Sequence, residues 1–209
     1  MKILIIDHQP LAREGLKQIL SEALGCVQFD EVGDPIEAIR LIRERKADLV
    51  VLEFPFLASR GLDFLKQMKQ ARLECPVLVL GGHPEELIAK WALSADAAGF
   101  VSRNAPAQEI MTAARKLVAG GRYISPVLAE GLAWDRRKDN EKLPHETLSQ
   151  REFEVLNLIA LGKSVTDIAN DLHLSVKTVS THRARILRKM GMKANAELIL
   201  YAIRSGLVS

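Results

Sequence analysis

Five short apolar runs punctuate the first 120 residues, and a stretch with helical periodicity follows each of them. That alternation constrains the fold more than any other feature of the chain. Ile3-Leu4-Ile5-Ile6 is continuously apolar, as a parallel strand covered on both faces must be. Segments 27–32, Leu49–Leu52, Val77–Leu80 and Ala98–Val101 repeat the signal. Leu16, Ile19, Leu20 and Ala23 recur at helical spacing after the first run, and further helices are predicted near 35–45, 61–71, 84–94 and 106–119. A βα unit repeated five times predicts an α/β fold, a doubly wound five-stranded parallel sheet. In such a sheet the functional crevice lies at the carboxyl ends of the strands, where the strand order reverses.

The rest of the chain follows other rules. Gly120-Gly121 stops the last of these helices, and the charge-dense stretch from Trp134 to Lys142 ends at Pro144. Residues 123–146 therefore read as a linker between a domain over 1–122 and an all-α domain over 147–209. Ser149-Gln150-Arg151-Glu152 is a capping box for a helix ending near Gly162, and Ser164-Val165-Thr166-Asp167 opens a short helix through Leu172. After the turn His173-Leu174-Ser175, a third helix runs from Val176 to Met190 and stops at Gly191; a fourth occupies about 195–205. Two helices joined by a three-residue turn form a helix-turn-helix, which lays its second helix in the DNA major groove.

Charge supports that division. The chain carries 29 Lys+Arg against 26 Asp+Glu, but residues 1–122 hold 16 of each, whereas residues 148–209 hold nine bases and five acids. The positive excess sits in the helical part, the electrostatic footprint of a phosphate-backbone binder. With 48% hydrophobic and 26% charged residues the chain can bury real cores, which excludes disorder. No apolar run approaches the ~20 residues of a membrane span. The N-terminus has no signal-peptide pattern, so the cytoplasm is the expected setting. Two cysteines, Cys26 and Cys75, exclude a disulfide framework or a zinc cluster and read as inert small residues. Trp91 reads as packing, and His83-Pro84 as a loop entering a helix.

On the third helix of the C-terminal part, Val179, Ile186 and Met190 recur at core spacing, with His182 on the edge as a packed residue. The opposite side displays Lys177, Ser180, Thr181, Ala184, Arg185 and Arg188, basic at its flanks and small or hydroxylic at its centre. Small residues admit a close approach to base edges, and the cations neutralise phosphates. No acid occurs from 176 to 193, unlike an ordinary solvated helix face.

Leu148 to Leu156, Gly162-Lys163-Ser164, Asp167-Ile168-Ala169 and Leu174 to His182 resemble the LuxR-type four-helix DNA-binding domain. With an α/β domain in front, the whole chain resembles a NarL/FixJ-type bacterial response regulator. The resemblance implies that Ser180, Thr181 and Ala184 face the bases while Lys177, Thr178, Val179 and Lys189 meet phosphates. Relatives commonly carry Lys at the positions of Ser180 and Ala184, so the target sequence differs while the docking mode stays. The resemblance also implies that the fourth helix pairs two domains on a two-fold site, making double-stranded DNA and a second copy of the chain the expected partners. RNA polymerase is a further partner open to such a regulator.

The α/β half then resembles a receiver, which takes a phosphoryl group onto an aspartate with the help of Mg²⁺, a hydroxyl and a lysine. Here Asp7 remains, but His8 stands in for the second acid of the metal site. Magnesium prefers oxygen ligands, so no metal and no cofactor is expected. Glu53 replaces the acceptor aspartate and is one methylene longer; Gly81 removes the hydroxyl; Arg103 replaces the lysine; Phe100 fills the aromatic switch position. The pocket reads as a degenerate phosphorylation site with no catalytic residues. Two consequences are open at this level. Glu53 and Arg103 form an ion pair that imitates the phosphorylated arrangement, or the pocket is inert and the domain serves for docking or dimerisation. The function expected is a dimeric transcription regulator independent of aspartyl phosphorylation. The alternatives are a conventional phosphorylation-dependent regulator and an interaction protein controlled through its receiver.

Overall fold

The computed structural model describes residues 1–54, 59–82, 84–135 and 143–208, so the loop expected at His83 and the charge-dense residues 136–142 lie outside it. The chain divides into two compact units, Met1–Trp134 and Asp135–Ser209.

The first unit is a parallel sheet in the order β2-β1-β3-β4-β5-β6. Its strands are β1 (Lys2–Ile6), β2 (Gln28–Val32), β3 (Leu49–Phe54), β4 (Val77–Gly81), β5 (Gly99–Ser102) and β6 (Tyr123–Ile124). Helices α1 (Pro10–Leu24), α2 (Pro35–Arg45), α3 (Ser59–Gln70), α4 (Glu85–Ser94) and α5 (Ala107–Val118) fill the crossovers. Successive strand residues point to opposite faces and build two cores. Leu4, Ile6, Val50, Leu52 and Val79 pack under α2, α3 and α4 with Ala38, Ile42, Phe64, Leu65 and Ile88. Ile3, Ile5, Val51, Leu78 and Val101 pack under α1 and α5 with Leu16, Leu20, Ile110 and Leu117. Only β2 departs from the apolar pattern, because its position at the sheet edge leaves Gln28 and Glu31 exposed.

The doubly wound architecture is as the sequence predicts, but the sheet has six strands rather than five, and residues 123–135 are not linker. Tyr123 and Ile124 pair in parallel with Gly99 and Phe100. A further helix, α6 (Pro126–Asp135), sets Leu128 and Leu132 into the core beside α4. A Cβ at Gly131 would stand 2.5 Å from Oε1 of Glu86, the end of a flexible side chain that would have to shift.

The second unit opens with a single 3₁₀ turn, Pro144–Thr147, and contains α7 (Gln150–Ala160), α8 (Val165–Asp171), α9 (Val176–Met190) and α10 (Asn195–Arg204). Both predicted capping boxes form, Ser149 with Glu152 and Ser164 with Asp167. Ser175 caps α9 by accepting from the Thr178 amide at 3.0 Å, and Gly191 ends it in the left-handed region at φ 66°. No helix among the described residues is long and apolar enough to cross a membrane.

Candidate functional site

Strand order reverses between β1 and β3, so the residues just past β1 and near the end of β3 share one crevice. Asp7 and Glu53 meet there, both almost wholly buried. A buried carboxylate is tolerated only when it is paired and hydrogen-bonded, and Glu53 is. Its Oε1 accepts from Arg103 Nη1, and its Oε2 hydrogen-bonds His8 Nδ1 at 2.9 Å. Arg103 reaches further, donating from Nη2 to Gln9 Oε1 at 2.8 Å, while its backbone amide donates to the Gly81 carbonyl at 2.7 Å. Asp7 Oδ1 accepts from the Gln9 amide at 2.7 Å. The Arg103 side chain is 35% exposed, so water screens part of the attraction.

The ligand atoms of Asp7, His8 and Glu53 lie within 4.8 Å of one another. The set does not fit Mg²⁺, the ion that a receiver would hold. One donor is an imidazole nitrogen, and both Glu53 oxygens are already engaged, one of them by a cation.

Gly81 and Phe100 form the other side of the crevice. The Phe100 ring is fully buried and occupies the space into which a side chain at 81 would project. A Cβ there would lie inside the envelope of Cε2 and Cζ of Phe100 and 3.2 Å from Cγ2 of Ile88 on α4. Loss of a hydroxyl at 81 and inward packing of the aromatic ring are thus one feature. The residues read as a degenerate pocket come together in this way: Asp7, His8, Glu53 and Arg103 through hydrogen bonds, Gly81 and Phe100 through packing.

The outward face of α9 contrasts with the pocket. Lys177, Ser180, Thr181, Ala184, Arg185 and Arg188 are all exposed. Among the described residues, Lys177, Arg185 and Arg188 have no carboxylate partner. Val179 does not belong with them. Its side chain is fully buried and its amide donates to the Ser175 carbonyl, so it cannot reach a phosphate through its side chain. Lys189 is committed inside the unit: Nζ donates to Glu152 Oε2 at 2.7 Å and to the Thr147 carbonyl at 3.2 Å. Thr178 Oγ1 shares a hydrogen bond with Ser175 Oγ at 2.8 Å and is half-buried.

Three residues outside the predicted site hold that helix in place. Burial works to raise the Glu152 carboxyl, yet the hydrogen bonds from Lys189 and Ser149 outweigh it and hold it below the usual carboxylate range. Burial pushes the His182 imidazole below its ordinary value, and its Nδ1 has no hydrogen-bond partner among the described residues. Arg183 donates to Asn195 Oδ1 at 2.6 Å and ties α9 to the start of α10. No short-range pattern signals the Glu152–Lys189 pair, because the two lie 37 positions apart. Elsewhere, burial pushes the Cys75 thiol up to about 12, which leaves it unreactive, and Trp91 packs half-buried against the α4-side core.

Residues 3–115 match the family described as response regulator receiver domain, and residues 146–202 match bacterial regulatory proteins, luxR family. The chain is 37% identical over 207 residues to the virulence factors putative positive transcription regulator BvgA of Bordetella pertussis, a match spanning 99% of this chain and 98% of that protein. It is 31% identical over 209 residues to the response regulator GacA of Pseudomonas aeruginosa, spanning 100% of this chain and 98% of that one. Among solved structures, RcsB of Salmonella enterica serovar Typhimurium, bound to promoter P1flhDC in the presence of phosphomimetic BeF₃⁻, shares the fold. The TM-score is 0.72 at 22% identity, over 96% of this chain and 97% of that one.

Proposed function

This chain belongs to the bacterial response regulators that join a receiver domain to a luxR-family regulatory domain, and from that premise we propose that it binds promoter DNA as a dimer without needing aspartyl phosphorylation. The relative BvgA carries the description of a positive transcription regulator, and RcsB in the matching structure is bound to promoter DNA. The exposed Lys177, Arg185 and Arg188 would neutralise phosphates while Ser180, Thr181 and Ala184 approach base edges. Thr178 contributes at the groove wall, and Lys189 acts chiefly by anchoring α9 to α7. Ala196, Leu200 and Ile203 lie exposed on α10 at positions i, i+4 and i+7, with Leu200 49% and Ile203 56% exposed. That apolar stripe supports pairing with a second copy.

The single observation behind phosphorylation independence is the state of Glu53. Phosphoryl transfer needs a free carboxylate nucleophile and cations placed to neutralise the transferring group. Here the carboxylate at the acceptor position is already clamped between Arg103 and His8. The negative group held by a cation at this position stands in for the modified aspartate and its lysine, in the charge-assisted geometry that guanidinium and carboxylate favour. Glu53→Ala tests the reading by DNA affinity and by self-association in sedimentation. The expected result is a loss of at least about tenfold in affinity, roughly 1.4 kcal/mol. Unchanged affinity and dimerisation would show the pocket to be an inert docking module instead.

A further inference from the structure

On the reading that α9 enters the major groove, we infer that its centre selects A·T pairs through thymine methyl groups rather than guanine through hydrogen bonds. The outward surface between Lys177 and Arg185 holds no side chain longer than threonine: it consists of Ser180, Thr181 and Ala184. Guanine is read best by a bidentate Arg or Lys donor aimed at its O6 and N7, and the centre of this helix has none. Of the longer side chains nearby, Arg185 and Arg188 stand at the basic flank, where that reading gives them to phosphates. Arg183 is held by Asn195, Lys189 by Glu152, and Val179 is in the core.

Thr181 sharpens the point. Its hydroxyl donates to the Lys177 carbonyl at 2.9 Å, back along the helix, so the proton is not available to a base acceptor. What Thr181 retains for the groove is a methyl group and an oxygen that accepts. Ala184, one turn on, offers a second methyl. Two small apolar carbons on adjacent turns complement the C5-methyl of thymine, the one apolar feature of the major-groove edge. Ser180 leaves a single adaptable hydroxyl, able to donate to or accept from adenine or thymine. Lys177 and Arg188 stand eleven residues apart, about 16 Å along the axis. That span suits the two phosphate walls of a groove about 12 Å wide, which leaves the bases to the small residues between them.

The full-length protein, incubated with a pool of random duplexes at fixed salt, should enrich sites with A·T pairs at the central positions of each half-site. Replacing thymine by deoxyuridine at those positions removes only the methyl group. It should weaken binding about fourfold for each contacted methyl. The Thr181→Ser protein keeps the hydroxyl and loses the methyl, and it should become insensitive to deoxyuridine at one of the positions. Enriched sites with G·C at the centre, or deoxyuridine sites bound as tightly as thymine ones, would overturn the inference while leaving DNA binding intact. A pool with no enrichment would instead overturn the DNA-binding reading on which the inference rests.

Discussion

The crevice at the ends of β1, β3 and β4 and the outward face of α9 use charge in opposite ways. In the crevice the ionic groups face one another. Glu53 takes Arg103 and His8, Arg103 reaches on to Gln9, and Asp7 holds the Gln9 amide. On α9, Lys177, Arg185 and Arg188 point outward, and none has a carboxylate partner among the described residues. A charge already satisfied internally contributes to the state of the domain, whereas a charge left free is available to a ligand. The difference lies in the neighbours: Arg103 faces a buried carboxylate, whereas the outward cations of α9 face none among the described residues. Lys189 shows this within a single helix: it is one residue from Arg188, yet Glu152 has claimed it for the fold.

The comparison can be broken from either side. The largest effect should come from Lys177→Ala, Arg185→Ala and Arg188→Ala combined. Three lost phosphate contacts should lower DNA affinity by at least about a hundredfold at moderate salt and flatten the logarithmic salt dependence by about 2.7. Thermal unfolding should hardly move, because the three side chains are exposed and Ala favours helix. A matching loss of stability would show that these cations serve the fold after all.

Gly81→Thr probes the opposite region. The new side chain would compete with the buried Phe100 ring and Ile88, and overpacking of this kind destabilises by about 1–3 kcal/mol. Restoring the hydroxyl should therefore lower the unfolding temperature of the receiver without restoring phosphorylation. Stability equal to that of the parent would mean that the ring can leave its place freely.

A smaller effect concerns pH. Glu152 and His182 both have folded values below their unfolded ones, so each binds fewer protons in the folded state. Their contribution is complete above the ordinary histidine value of 6.5. It declines as His182 is forced to protonate and falls further below 4.5, as Glu152 takes up its proton. Glu152→Gln should shrink the lower step in a pH series of denaturant midpoints on the full-length protein and enlarge the upper one, because the Glu152 charge works to raise the His182 value. An unchanged lower step would assign it to other carboxylates.

Much of this was legible in the residues, and the illegible part has physical reasons. Continuous apolar runs such as Ile3–Ile6 locate strands because both faces of the sheet are covered, and serine–acid spacing locates helix starts because the orphan amides there need acceptors. The extra strand and helix escape those rules. Tyr123-Ile124 is too short to show a period, and α6 is apolar on most sides, so neither reads differently from a linker. The chemical identities of Glu53, Gly81 and Arg103 differ from the acceptor aspartate, hydroxyl and lysine that the receiver resemblance implies. Their mutual contacts do not appear in the sequence, since Arg103 lies 50 positions from Glu53. Likewise the packing of Phe100 against the gap at Gly81 depends on a register between strands. At Val179 helical spacing and family resemblance point different ways, one to the core and the other to a phosphate, and its side chain lies in the core beside exposed Ser180.

The most direct test of the account is a measurement on the wild-type protein before and after incubation with a small-molecule phosphodonor and Mg²⁺, recording intact mass and affinity for its selected DNA site together. Mass and dissociation constant should both stay unchanged, with tight binding already present in the untreated protein. A mass increase of one phosphoryl group accompanied by tighter binding would contradict it.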